Sequence, residues 1–232
     1  MRILVTGAAG RVGSTVALGL RERHQVRGHD RVPMPQLSDT VVGDLTDFDA
    51  VLRATQGMDA VAHIGGLPGG DQWQAIHDSN IVGTYHVFEA CRVNGVRRVA
   101  YASRAGVLSH HPRGRMRTVD MVPTPVGHYT VSKVFGESLA YSYAHQYGMG
   151  CVCVRIGNFH LDRDQPQHPH HLSHGDCVRV FEQALTWPDV RYEVVFGVSG
   201  SNWPMYDLEH GRQAIGYYPQ DVAYVPEEEW DR

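Results

Sequence analysis

The sequence predicts an α/β fold, a doubly wound parallel sheet with a small C-terminal cap. Three observations predict it. Short apolar runs alternate with amphipathic stretches over the first two thirds of the chain, a glycine-spaced turn follows the first run, and no repeat, linker or low-complexity tract interrupts the 232 residues. Such alternation calls for right-handed crossovers, which place helices on both faces of a parallel sheet. Residues 1–232 are therefore expected to form one domain, with 157–232 contributing a small cap on its substrate side.

The elements follow in order. RILVT (2–6) is a buried strand, continuously apolar at its centre, as a strand covered on both faces must be. Residues 11–23 form a helix, 25–30 a second strand, and TVVG (40–43) a third, followed by a helix over 46–56. DAVAHIG (59–65) is a fourth strand, 73–94 a long helix, and RRVAYAS (97–103) a fifth strand. A loop rich in Pro, Gly, Arg and His covers 105–127. Residues 129–147 form a helix and CVCVRIG (151–157) a sixth strand. Beyond it, SHGDCVRVFEQAL (173–185) opens on a capping serine and continues as a helix. YEVVFGVSG (192–200) reads as strand then turn, and 203–219 mixes aromatics with turn formers.

Composition narrows the function. The net charge of −4 argues against nucleic acid or an anionic membrane as partner, since both select dense Lys/Arg patches. No run of apolar residues is long enough to span a bilayer. MRILVTG enters a strand directly, without a signal peptide's apolar centre and cleavage site. Cys91, Cys151, Cys153 and Cys177 do not make a disulfide framework in a chain this long. They read as reduced, small hydrophobes, with Cys151 and Cys153 on one side of a strand, and the expected compartment is the cytoplasm. Fifteen histidines are the oddity, with His168, His170, His171 and His174 crowded into HPHHLSH. That stretch lacks the Cys pair or helical HExxH pattern of a zinc site, so no metal is expected and the cluster reads as a solvated or substrate-facing loop.

TGAAGRVG (6–13) joins the first strand to the first helix. Gly7 permits the tight turn, Gly10 lets the backbone approach a pyrophosphate, and Gly13 allows close helix–strand packing. The helix N-terminus, at Arg11 and Val12, supplies oriented N–H groups and partial positive charge. Asp30 ends the second strand, where a carboxylate accepts hydrogen bonds from a ribose diol and repels a 2′-phosphate. The expected cofactor is therefore NAD, with NADP possible because Arg31 stands beside that carboxylate. Asp44-Leu45, after the third strand, sits beside the adenine, or Asp44 caps the next helix.

Tyr129 and Lys133 form YxxxK, which puts both on one helix face. A phenol with an ordinary pKa of about 10 is a poor acid–base near neutrality, and a neighbouring ammonium lowers that value. The pair can then exchange a proton with a substrate oxygen as hydride moves at carbon.

With these residues in view, the chain resembles the extended short-chain dehydrogenases/reductases, the NAD-dependent epimerase/dehydratase family. The matching features are TGAAGRVG (6–13), Asp30, Asp44-Leu45, AHIGG (62–66), NIVGT (80–84), YAS (101–103), YTVSK (129–133) and VRIGN (154–158), in family order over about two thirds of the chain. The resemblance implies a Rossmann sheet, a small-molecule substrate and a homodimer formed through the helices at 73–94 and 129–147. It implies that Ile64, Gly65 and Ile156 line the cofactor, and that Asn80 helps order the water network of the lysine. It further implies that Gly66, Asn158 and Arg163 face the substrate. The short C-terminus and the HIGG, VRIGN, LSHGD and GYYPQD segments most resemble the branch that oxidises hexuronic acids to lactones.

The pattern breaks at one point. The family's catalytic Ser or Thr stands about 25 positions before the tyrosine, and here that place holds Arg104, with Ser103 one residue early. A one-residue shift on a strand turns a side chain to the opposite face. Either Ser103 or Arg104 is then expected to polarise the reacting oxygen, Arg104 as a charged electrophile. In that branch an Asn-His pair contacts the sugar and an arginine after the sixth strand holds its carboxylate; here stand Ala105-Gly106 and Gln167-His168-Pro169. The sequence thus predicts an NAD-dependent oxidoreductase acting on a small polar, carbohydrate-like alcohol or ketone. The alternatives are an epimerase or dehydratase that uses bound NAD transiently, and a non-catalytic NAD-binding protein.

Overall fold

The computed structural model describes residues 1–69, 72–160, 162 and 168–230. Seven parallel strands form the main sheet in the order β3-β2-β1-β4-β5-β6-β7. They are β1 (Arg2–Thr6), β2 (Gln25–Asp30), β3 (Asp39–Val42), β4 (Ala60–His63), β5 (Arg98–Arg104), β6 (Gly150–Ile156) and β7 (Tyr192–Gly197). The expected doubly wound α/β sheet is thus present. The order reverses between β1 and β4, which opens a crevice at their carboxyl ends.

Strand alternation sorts the core into two layers. Ile3, Val5, Ala62, Ala100 and Val152 pack under α1 (Arg11–Leu20) and α6 (His174–Thr186). Leu4, Val61, Val99, Tyr101 and Cys151 pack under α2 (Phe48–Thr55), α4 (Gly83–Val93) and α5 (His128–Tyr147). All four cysteines are free and buried, and Cys151 and Cys153 share the second layer. Ser173 caps α6 by accepting from Asp176 N at 3.0 Å.

Two expectations needed correction. The helix expected at 73–94 is divided into α3 (Trp73–Ile76), a π-helical turn (His77–Val82) and α4. The turn carries Asn80, which is buried there, and such turns recur at functional sites. The 105–127 loop is also less free than its composition implied. It opens with a 3₁₀ turn (Ala105–Leu108) whose Val107 and Leu108 join Phe196, Val198, Met205 and Tyr206 in a third apolar cluster. That cluster fastens the loop to the C-terminal segment, where α7 (Glu209–Ile215) joins the two parallel strands of a small sheet, β8 (Gly200–Ser201) and β9 (Val222–Ala223). No helix among the described residues is long and apolar enough to cross a membrane.

Candidate active site

The turn after β1 holds Gly7 at φ +68°, and a Cβ there would stand 2.6 Å from Gly65 Cα. A Cβ on Gly13 would lie 2.0 Å from Gly7 O, so the start of α1 packs directly on the turn. Thr6 ties this turn to the end of β4: its Oγ1 accepts from Ile64 N and Gly65 N and bonds His63 Nδ1 at 2.8 Å. Burial pushes His63 down to about 3, keeping the ring neutral. Gly10 caps α1 without a side-chain bond, and no acidic residue occupies the first turn. The leading N–H groups therefore remain open to an anion.

These features border one cleft of 1320 Å³ along the carboxyl edge of the sheet. Every residue expected to contact the cofactor lines it except Asn80. Asp30 accepts from Ala9 N at 3.0 Å and Val32 N at 3.3 Å, which braces the glycine turn. Asp44 accepts from the N–H and hydroxyl of Thr46, bonds that hold it below the usual carboxylate range. Asp47, not Asp44, caps α2. Asn80 sits behind the wall: it accepts from Leu67 N, donates to Leu67 O and donates to Ser132 Oγ. It fixes the loop after β4 to α5 beside Lys133. A side-chain-free turn, open helix N–H groups and a carboxylate at the end of β2 fit a dinucleotide.

Tyr129 and Lys133 enter the cleft from the first turns of α5. Lys133, the only lysine in the chain, donates to Ala102 O at 2.9 Å and lies 5.6 Å from the Tyr129 ring centre. Arg104 reaches the same place: its Cζ is 5.2 Å from the Tyr129 ring centre and its Nη1 donates to Thr130 Oγ1 at 3.2 Å. Burial, reinforced by the Arg104 charge, lowers Lys133 to about 8. For Tyr129 burial raises the pKa, and the Arg104 cation opposes that rise. The expected depression of the phenol by Lys133 is not what governs it: desolvation of the phenolate dominates, and the opposing charge is that of Arg104.

Ser103 also lines the cleft, but its hydroxyl is already engaged. Its Oγ donates to Glu137 Oε1 at 2.6 Å, and Glu137 forms a two-pronged ion pair with Arg155, both bonds 2.9 Å. The candidate serine therefore gives its hydroxyl to a buried structural network further along α5, while Arg104 reaches the first turn of the same helix. The sequence reading did not identify Glu137, although it lies four residues after Lys133 on the same helix face. Gly66 and Asn158 line the cleft, and Arg163 lies outside the described residues.

The cleft also holds Arg113, Arg117 and Tyr206, which no motif announces, and His170 from the histidine-rich stretch read as solvated or substrate-facing. His170 Nδ1 meets Tyr206 Oη at 2.5 Å. Burial, with further lowering by the nearby His168, Arg117 and Arg113, pushes His170 down to about 4. Among the described residues no group of three or more His, Cys, Asp or Glu is arranged to hold a metal ion.

The sheet order, the glycine turn and the tyrosine–lysine pair define a dinucleotide-binding α/β protein. The sequence profile of the NAD-dependent epimerase/dehydratase family matches residues 3–195, and the chain belongs to that family. It is 35% identical to a uronate dehydrogenase of Pseudomonas syringae pv. tomato, over 97% of this chain and 83% of that protein. It is 32% identical to an NAD-dependent glucose-6-phosphate dehydrogenase of Haloferax volcanii, over 94% of this chain and 93% of that one. Among solved structures, uronate dehydrogenase from Agrobacterium tumefaciens superposes with a TM-score of 0.89 at 31% identity, covering 96% of this chain and 85% of that one.

Proposed function

We propose that this protein is an NAD-dependent dehydrogenase acting on a carbohydrate-like hydroxyl group. Relatives that span most of the chain are named for oxidising uronate, glucose 6-phosphate and L-arabinose. The glycine turn and the N–H groups of α1 hold the pyrophosphate, and Asp30 holds the adenosine ribose, which favours NAD over NADP. Bound there, NAD supplies the hydride acceptor. Tyr129 Oη, as the phenolate that the Arg104 cation favours against burial, would take the substrate hydroxyl proton. The Arg104 guanidinium polarises the reacting oxygen in place of the absent hydroxyl residue. Lys133 keeps a positive charge beside the phenol, and Gly66 and Asn158 border the substrate. Arg163 is retained as a substrate contact on sequence grounds alone.

The observation that carries this reading is the stacking of Arg104 over Tyr129 at 5.2 Å, beside Lys133 in one cleft. The test is NAD reduction by the purified full chain across a panel of aldoses, uronates and sugar phosphates. Net reduction with at least one member supports the dehydrogenase. Tightly held NAD without net turnover favours the epimerase or dehydratase alternative, and NAD binding with no chemistry on any sugar favours a non-catalytic protein.

We further propose a single domain, with residues 157–232 as a substrate-side cap, and a homodimer through α4 and α5. Exposed Tyr85, Val93, Tyr141 and Tyr147 on those helices support the dimer. Free, buried cysteines support a cytoplasmic setting.

A further inference from the structure

The far half of the cleft has an uncompensated charge. Arg104, Arg113 and Arg117 all line it, and none pairs with a carboxylate among the described residues. The carboxylates on the cleft wall come from the ends of β2 and β3 (Asp30, Asp44) and from the π-helical turn (Asp78). Asp78 is itself engaged by His77 and Gln74. Among the described residues, the loop that carries Arg113 and Arg117, and the cap that carries Tyr206, contribute no acid to the wall.

Arg117 is the informative member. It is 3% exposed, yet it comes from an irregular loop and belongs to no ion pair among the described residues. Two of its nitrogens donate to backbone carbonyls, Nε to Leu108 O and Nη2 to His111 O, which fixes the guanidinium plane. Its Cζ lies 5.8 Å from the Tyr206 ring centre. The third nitrogen, Nη1, is buried with no hydrogen-bond partner among the described residues. Buried charged donors are rarely left unmade, because an unpaired one retains its full desolvation cost. A cation held in position with one free donor, in a cleft wall that carries two more guanidinium groups, is a preformed anion site.

We propose that Arg117 and Arg113 form an anion subsite beside Tyr206, and that the substrate is a sugar bearing an anionic group away from its reacting carbon, a phosphomonoester above all. This deepens the dehydrogenase reading and rests on it for the reacting carbon. The shared chemistry is a multidentate oxyanion. A phosphomonoester, with up to two charges and three acceptor oxygens, matches two guanidinium groups better than a carboxylate does.

The test is calorimetric titration of the full chain, first with NAD and then, at saturating NAD, with inorganic phosphate, glucose 6-phosphate, glucuronate and glucose. The expected result is binding in the order glucose 6-phosphate, glucuronate, glucose, with phosphate alone also bound. Arg117→Gln and Arg113→Gln should each weaken phosphate and glucose 6-phosphate at least tenfold while leaving NAD affinity within threefold. Arg113 is exposed, so Arg113→Gln decides the matter if the buried Arg117 variant does not fold. NAD binding with all three sugars equal, or phosphate binding indifferent to Arg113→Gln, overturns the proposal. Failure of NAD itself to bind overturns the dehydrogenase reading instead, and the Arg113 dependence of phosphate binding still decides the subsite. Tighter glucuronate than glucose 6-phosphate keeps the anion subsite but refutes the phosphomonoester.

Discussion

Arg104 Cζ stands 5.2 Å from the centre of the Tyr129 ring, and its Nη1 donates to Thr130 Oγ1, the next residue along α5. A cation is thus attached to the helix that carries the phenol. Its charge acts on both neighbours, lowering Lys133 and opposing the rise of Tyr129.

Arg104→Ala should therefore cost catalysis more than folding. A positioned donor at a developing oxyanion contributes roughly 10²–10³ in kcat. The expected loss in kcat/KM is of that order, with NAD affinity within threefold. Steady-state kinetics on the best sugar of the panel checks it, and an unchanged rate would remove Arg104 from the chemistry.

Ser103 and Glu137 supply the contrasting case. Ser103→Ala deletes one bond to Glu137 and should leave kcat within about threefold. Glu137→Gln leaves the Arg155 guanidinium, 3% exposed, without its counter-charge. Breaking a buried pair from one side costs about 3–5 kcal/mol. Chemical denaturation of both variants should show a large loss for Glu137→Gln and a small one for Ser103→Ala.

Lys133 predicts a pH dependence of stability. Its folded pKa of about 8 lies below its ordinary value of 10.5, so the folded state disfavours the proton. Below about pH 8 the ammonium is charged in both states and the full cost of burying it is present, on the order of 3 kcal/mol. From about 8 to 10.5 the folded protein has lost the proton and the unfolded chain has not, so stability rises with pH. Without NAD, Lys133→Met should be more stable than the parent chain at pH 7, and the gap should narrow across that interval. Denaturant midpoints at a series of pH values check this, and a gap independent of pH would contradict it.

Gly13→Ala tests the cradle. Its Cβ would fall 2.0 Å from Gly7 O, so backbone must move. Overpacking of this kind costs about 1–3 kcal/mol. Because the displaced atoms belong to the turn under the pyrophosphate, NAD affinity should fall at least tenfold, measured by calorimetry.

The sheet was legible because each buried strand is a short apolar run and each helix carries its own spacing; RILVT and CVCVRIG announce themselves. Gly7, Asp30, Tyr129 and Lys133 were legible as residues of the cleft because local spacing singles them out. What escaped depends on contacts distant in sequence. The π-helical turn at His77–Val82 carries Asn80, whose partners Leu67 and Ser132 lie 13 and 52 positions away. Arg155 reads as a strand residue until Glu137 is seen beneath it. Arg117 sits in a loop without periodicity, and its burial arises from the cap, 89 residues further along at Tyr206. The direction of the Tyr129 shift also escaped, since spacing reveals the neighbouring charge but not the depth of burial.

The most direct measurement uses Lys133 as the chain's single lysine. Protein labelled with ¹⁵N at the lysine Nζ gives one side-chain signal from the heart of the cleft. The account predicts that adding NAD shifts this signal saturably, and that Gly13→Ala requires at least tenfold more NAD for the same shift. A signal indifferent to both NAD and NADP, in folded protein, would contradict it.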